Sequence, residues 1–427
     1  MSRRLVAAVL FTALGAVPLA TRGQAAPQRP GPGAPGAPEG ASAAAAQGEE
    51  LGTPSTSSEP GFRLYGFADV SYRNSLALLV EGASETTMAL FGVPEKGSFA
   101  VGNLNLYLDG QLSARARSLA EVRFTYLPAG TQATTSPDYA HTLATTSWGG
   151  IVIERAWVEY AFSDLVTLRA GQFLTPFGIW NVDHGSPTVI GVQKPEVVSQ
   201  ELLPERQIGL EAYGSKYLGS ARVGYHATVS NGRIGDNPPF ANFSGRPGLG
   251  GRLFVEGDWL GELRLGVSGY TGRYTELVAS DFPGLSDEVA LEYDERGAAA
   301  DLRWEWRSVL LLSEAVYQSV KYTDGGRPAD VPFLGPPSGA AAADFWRTGL
   351  YVLAGYRLPY HVTPYLLLQL MYKSTDATSN GGSICPGVNL RALPNLVLKL
   401  QYDVVRYPDL PGSRTAQILR GQVAWAF

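Results

Sequence analysis

The sequence predicts an all-β chain, a transmembrane antiparallel β-barrel of about sixteen strands whose third outer loop folds into the lumen. Three observations lead there. Apolar and polar residues alternate one for one over separate segments from Phe62 to Phe427, the period of a strand with one apolar and one polar face. Short and long connections take turns between those segments, as they do when tight turns close one rim and large loops the other. The chain also ends on an alternating aromatic strand, with Val423, Trp425 and Phe427 on one face.

The N-terminus reads as a secretory signal over residues 1–25. Arg3 and Arg4 precede an apolar core from Leu5 to Val17, and small residues near Ala20 and Ala25 offer cleavage sites. Residues 26–60 are Pro, Ala, Gly and Ser with few large apolar side chains. They are expected to form a disordered linker, because too little surface can be buried to offset ordering. Residues 61–427 are assigned to the barrel. Export and a barrel together predict the outer membrane of a Gram-negative bacterium, with lipid as the partner of the outward face.

Charged residues are 17% of the chain, below the roughly 25% usual in soluble domains. The net charge of −5 leaves no basic footprint for nucleic acid. Cys385 is the single cysteine, so neither an intrachain disulfide nor a cysteine metal site can form. No oxygen-ligand spacing stands out for calcium. No cofactor or metal is expected. The part after the signal has no apolar run long enough for a transmembrane helix.

Taken in order, Leu64, Gly66, Ala68, Val70 and Tyr72 alternate with Arg63, Asp69, Ser71 and Arg73. Leu104, Leu106 and Leu108 alternate with Asn103, Asn105, Tyr107 and Asp109; Ala120, Val122, Phe124 and Tyr126 with Glu121, Arg123 and Thr125. Ala156, Val158, Tyr160 and Phe162 face away from Arg155, Trp157 and Glu159; Val166, Leu168 and Ala170 from Thr167 and Arg169. Ile208 and Leu210 oppose Gln207 and Glu211; Val223, Tyr225, Ala227 and Val229 oppose Arg222, His226, Thr228 and Ser230. Leu253 and Val255 oppose Arg252 and Glu256; Leu263, Leu265 and Val267 oppose Glu262, Arg264 and Ser268. Leu302, Trp304 and Trp306 oppose Asp301, Arg303 and Glu305; Leu311, Ala315 and Tyr317 oppose Glu314 and Gln318. Leu350, Val352 and Ala354 oppose Arg347 and Tyr351; Leu366, Leu368 and Leu370 oppose Gln369 and Lys373. Val388 and Leu390 oppose Asn389 and Arg391; Leu396, Leu398, Leu400 and Tyr402 oppose Lys399, Gln401 and Asp403. Leu419, Val423, Trp425 and Phe427 close the chain opposite Arg420 and Gln422.

Short connections are expected near Ser163-Asp164, Gly257-Asp258, Arg307-Ser308 and Pro394-Asn395, and His361 reads as a turn residue. Long ones are expected near 81–98, 128–149, 172–206, 234–247, 274–295, 324–344 and 374–386. Size decides which face is inside. A barrel of about sixteen strands is too wide for side chains to fill, so the polar face lines water and the apolar face meets lipid. A soluble two-sheet sandwich is the competing reading. The aromatic pairs Tyr160/Phe162, Trp304/Trp306 and Trp425/Phe427 suit girdles at the two membrane interfaces. Leu106 and Leu398 should reject arginine, whereas Asn105 and Gln401, on the lumen face, should tolerate it.

The third long connection carries the functional argument. Pro176 and Gly178 break a strand, and the loop to Arg206 holds Phe177, Ile179, Trp180, Val189 and Ile190. These side chains would be stranded in water outside the cell; packed on the inner wall they are buried. The loop charges Asp183, His184, Lys194 and Glu196, flanked by Arg155, Arg169 and Arg206, are the candidate constriction. Arg123 and Arg222 are candidate pore lining on neighbouring strands.

The run Glu154-Arg-Ala-Trp-Val-Glu-Tyr160, then Arg169-Ala-Gly-Gln-Phe-Leu-Thr-Pro-Phe-Gly178, then Arg206-Gln-Ile-Gly209 resembles the phosphate-selective porin O and P family. That resemblance implies a sixteen-stranded homotrimeric porin with an inward third loop, and it extends loosely over residues 63–427. Phosphate selectivity in the family needs dense Arg and Lys at the constriction. Here Asp183, Glu196, Glu201 and Glu205 share the loop with Lys194, so dedicated phosphate specificity is not carried over. The expected function is passive diffusion of small hydrophilic solutes or ions, anions such as phosphate among them. An outer-membrane barrel hydrolase and a structural barrel with a blocked lumen are the alternatives. His141, His184, His226 and His361 show no spacing for a nucleophile with its base, so no enzyme is expected.

Overall fold

A computed structural model of the chain describes residues 60–78, 97–125, 131–133, 144–146, 150–182, 185–233, 245–278, 288–330, 340–375, 380–408 and 414–427. The expected signal and all of the expected linker but Pro60 lie outside the described residues, as do Asp183 and His184. Sixteen antiparallel strands close into one barrel, each paired with its sequence neighbours, and the first pairs with the last. In order they are β1 (Gly61–Leu78), β2 (Ser98–Gln111), β3 (Ala116–Thr125), β4 (Gly150–Ser163), β5 (Val166–Leu174), β6 (Arg206–Leu218), β7 (Ala221–Ser230) and β8 (Gly248–Asp258). Then come β9 (Glu262–Val278), β10 (Glu288–Trp306), β11 (Val309–Tyr322), β12 (Phe345–Tyr356), β13 (Val362–Lys373), β14 (Gly381–Leu393), β15 (Leu396–Tyr407) and β16 (Arg414–Ala426). Each alternating segment of the sequence is one strand. A separate ribbon pairs Thr131–Ala133 with Ala144–Thr146 in the second long connection.

The four expected short turns are present, and His361 sits in the short β12–β13 turn. Two long connections are tighter than expected. β9 and β10 run on past Tyr274 and Glu295, pairing as far as Val278 with Glu288. β14 starts at Gly381 and takes Pro386 into the strand, opposite Leu366; proline lacks only the N–H, and the cost is one ladder bond.

Leu64, Leu108, Val158, Leu168, Leu210, Leu253, Leu265, Leu368, Leu398 and Val423 are exposed on the outward face. This is the apolar band of a membrane barrel. The aromatic pairs differ from expectation in one respect. Tyr160/Phe162, Trp304/Trp306 and Trp425/Phe427 all sit beside short turns, at one rim. The other rim has Tyr317, Trp346 and Tyr372, ring to ring at 6.0 and 5.1 Å. Closure is made by the terminus itself. Phe427 exchanges two backbone hydrogen bonds with Gly66, at 2.9 and 3.0 Å. Its ring lies over that glycine, where a Cβ would come within 2.9 Å of it.

Candidate functional site

β5 is short, and the third long connection leaves it at Thr175, part-way up the wall. Its two ends are tied together. The Thr175 hydroxyl donates to the Pro204 carbonyl, and Asn181 Nδ2 donates to the carbonyls of Thr175 (2.6 Å) and Glu205 (2.8 Å). Between those ties the loop runs inside the barrel. Arg252 on β8 donates to the carbonyls of Pro176 and Gly178 and pairs with Asp301 on β10 at 2.6 Å. Glu314 on β11 accepts from Trp180 N–H at 3.0 Å and from the Tyr351 hydroxyl at 2.7 Å. Gly178 makes that approach possible: its φ is +74°, and any Cβ there would collide with the Glu314 carboxylate.

The far end of the loop is held by the opposite wall. Ser186 donates to Asp69 on β1, and buried Lys399 on β15 donates to the carbonyls of Ser186 (2.6 Å) and Gly191 (2.9 Å). Asn389 reaches Ile190 O, Gln401 accepts from Val192 N–H, and Gln369 accepts from Glu196 N–H. A one-turn helix, α1 (Glu196–Ser199), then leads back to β6. The apolar side chains pack as expected. Ile179, Trp180, Val197 and Leu202 form one core with Leu310, Leu312, Val316, Tyr351, Leu353, Tyr365, Leu367 and Cys385, and Val189 and Ile190 flank it. Much of the inner wall from β11 to β14 is therefore covered by the loop, through an apolar core and the polar anchors within it, rather than lined by water.

The other side of the lumen is charged. Lys194 pairs with Glu205. Arg206 lies 3.8 Å from Glu205 and 2.7 Å from Glu154, which also takes Arg123 at 2.9 Å. This ladder of five charges runs from loop to wall. Below it, Arg155 pairs with Glu121 at 2.6 Å. Arg169 bridges Glu159 (2.8 Å) and Glu211 (3.0 Å) and lies over the Trp157 ring at 4.2 Å. Arg222 pairs with Glu256 at 2.6 Å, and His226 sits 2.8 Å from Glu211. A cavity of about 700 Å³ opens here toward the short turns. Arg115, Arg117, Arg155, Arg169, Lys216 and Arg222 line it against Glu159, Asp164 and Glu211, with Leu174, Pro176 and Val182 as its ceiling.

Of the candidate residues, Lys194, Arg206 and Arg123 come together, and Arg155, Arg169 and Arg222 line the wall beneath them. Glu196 does not join them; it starts α1, against the wall at Gln369. Sequence alternation missed Glu154. A register shift between Glu121 and Val122, opposite Ile153 and Arg155, turns Glu154 inward together with Arg155, as bulges do. The expectation for Asn105 and Gln401 is also corrected. Neither faces open water: Asn105 donates to Glu121 at 2.6 Å, and Gln401 is packed against the loop and the Tyr365 hydroxyl. Among the described residues no group of three His, Cys, Asp or Glu side chains converges as a metal site.

The fold is that of the outer-membrane porins. The outer membrane channel DcaP of Acinetobacter baumannii is 13% identical and superposes with a TM-score of 0.53, over 88% of this chain and 100% of that one. An anion-selective porin from Comamonas acidovorans is also 13% identical, with a TM-score of 0.53 over 86% and 100%. OmpT of Vibrio cholerae, in a trimer form, is 10% identical, with a TM-score of 0.52 over 86% and 99%. No protein-family model and no curated protein matches this chain in sequence.

Proposed function

We propose that this chain is an outer-membrane porin, exported by its signal and assembled as a homotrimer, through which small hydrophilic solutes diffuse passively with a modest preference for anions. The third loop sets the narrowest part, and the Lys194–Glu205–Arg206–Glu154–Arg123 ladder is its charged edge. One observation carries the sign of the preference. In that ladder the cations are the solvent-facing partners: Arg123 and Arg206 are 28% and 23% exposed, whereas the Glu154 between them is 2% exposed. A solute therefore meets guanidinium, with the carboxylate behind it. Near a low-dielectric wall such charges act more strongly on a passing ion than they would in bulk water. The interleaved carboxylates keep the field mixed rather than a ring of one sign, so phosphate is one permeant anion and not a dedicated substrate. The likeness of the loop block to the phosphate-selective porins supports this reading, as does the fold shared with an anion-selective porin.

The test is the reversal potential of purified channels in a planar bilayer across a potassium chloride gradient. An anion-selective sign that Arg206→Gln with Lys194→Gln diminishes is the expected result. A cation-selective parent, or a folded barrel without conductance, overturns the reading.

A further inference from the structure

The chain enters the barrel at the lip of a cavity. Gly61, the first residue of β1, is the register partner of Gln111 at the end of β2. Gln111 lines the cavity of about 700 Å³ that opens at the short-turn rim. Nothing stands within 4 Å of where a Gly61 Cβ would be, so this corner is open. The expected linker therefore joins the barrel beside that mouth, and Pro60, its last residue, is exposed. The mouth itself is cationic. Arg115 and Lys216 line it, are exposed, and make no ion pair among the described residues. Arg63 and Arg117 share one carboxylate, Asp109, and Arg63 is 61% exposed. Asp164 is the exposed carboxylate of the lining. Four cations thus face two carboxylates at the rim. Deeper in, Arg155, Arg169 and Arg222 are engaged by carboxylates, and those charges nearly cancel.

The linker has the opposite sign. From Pro30 to Pro60 it carries Glu39, Glu49, Glu50 and Glu59 and no Lys or Arg. Glu50 precedes Gly61 by eleven residues. A Gly- and Ser-rich chain of that length spans about 18 Å on average, and so short a tether holds its end at an effective concentration of about a millimolar. Exposed ion pairs are weak one at a time; on a tether several of them act together. We propose that the acidic linker, through Glu49 and Glu50, docks in the cationic mouth of its own barrel and intermittently narrows the path from the short-turn side. This goes beyond the ion preference. The contact stands without the channel reading, and only its electrical readout depends on that reading.

The test is carbodiimide coupling, which joins a carboxylate to an amine in direct contact, applied to the folded full chain in detergent and read by peptide mass spectrometry. Lys194 and Glu205 already touch, and their link is the internal control. A link from Glu49 or Glu50 to Lys216 within one chain is expected. It should vanish at about 1 M salt, where charges more than about 3 Å apart are screened. In planar bilayers at low salt, brief partial closures are expected from the parent. Glu49→Gln with Glu50→Gln should make them about fivefold rarer. These two residues precede the first strand, so the barrel itself is unchanged. Arg115→Gln with Lys216→Gln should have the same effect from the other side of the contact. Absence of a Lys216 link where the Lys194–Glu205 link forms overturns the inference, as does a link that joins two chains. Closures that persist unchanged in both double variants also overturn it. A Lys216 link in a barrel without conductance would sink the channel reading and leave the docking standing.

Discussion

The two halves of the inner wall obey the same strand parity and have opposite chemistry. From β3 to β7 the inward positions include Glu121, Arg155, Glu159, Arg169, Glu211 and Arg222, held in ion pairs beside a cavity and among the buried rings of Tyr107 and Trp157. From β11 to β14 they include Leu310, Leu312, Val316, Tyr351, Leu353, Leu367 and Cys385, sealed under the loop. The difference teaches what an inward loop does to a wide barrel. One half of the wall becomes a core whose partner is the loop. The other half stays wet and can carry field and selectivity. Substitutions in the apolar half should therefore move the loop, and substitutions in the charged half should change which ions pass.

The largest expected effect comes from removing the loop altogether. Shortening the chain between Gly178 and Pro204 should raise single-channel conductance several-fold and loosen ion preference in a barrel that still folds. A well-folded deletion that conducts like the parent would end the comparison. Next comes the loop's main anchor. Trp180 is 2% exposed within the apolar half, and Trp180→Ala should take about 3–5 kcal/mol from loop docking. Protease cleavage within the loop and a raised conductance would report it; full protection would count against the packed core.

Leu398 gives the outward reference. Leu398→Arg should cost roughly 2–4 kcal/mol if it lies at the bilayer midplane, read from urea unfolding in lipid vesicles. A cost near zero would mean that this face does not meet hydrocarbon. The smallest effect on stability belongs to the charged half. Arg206→Gln removes a cation that is 23% exposed and leaves the buried Glu154 paired with Arg123, so it should change stability by about 1 kcal/mol. The same variant should still move the reversal potential toward cations. A stability loss equal to that of Trp180→Ala would erase the distinction between the halves.

Much of this protein was legible in its residues. Period-two alternation is a local consequence of strand geometry, so each of the sixteen strands, its outward face and the short turns could be read without knowing any neighbour. The loop's inward path was legible too, because Phe177, Ile179, Trp180, Val189 and Ile190 had to be buried somewhere. Only the tertiary structure decided where. The anchors Arg252, Glu314 and Lys399 lie from about seventy to about two hundred residues beyond the loop atoms they hold, and nothing local distinguishes them from arginines or glutamates that face water. Alternation also hid Glu154, because one register shift against β3 turned it inward. It placed Asn105 and Gln401 on the lumen face but could not say that a neighbour or the loop would cover them. Facing follows from the backbone of one strand. Burial inside a wide barrel depends on what else enters the lumen, and that is set by contacts across the whole chain.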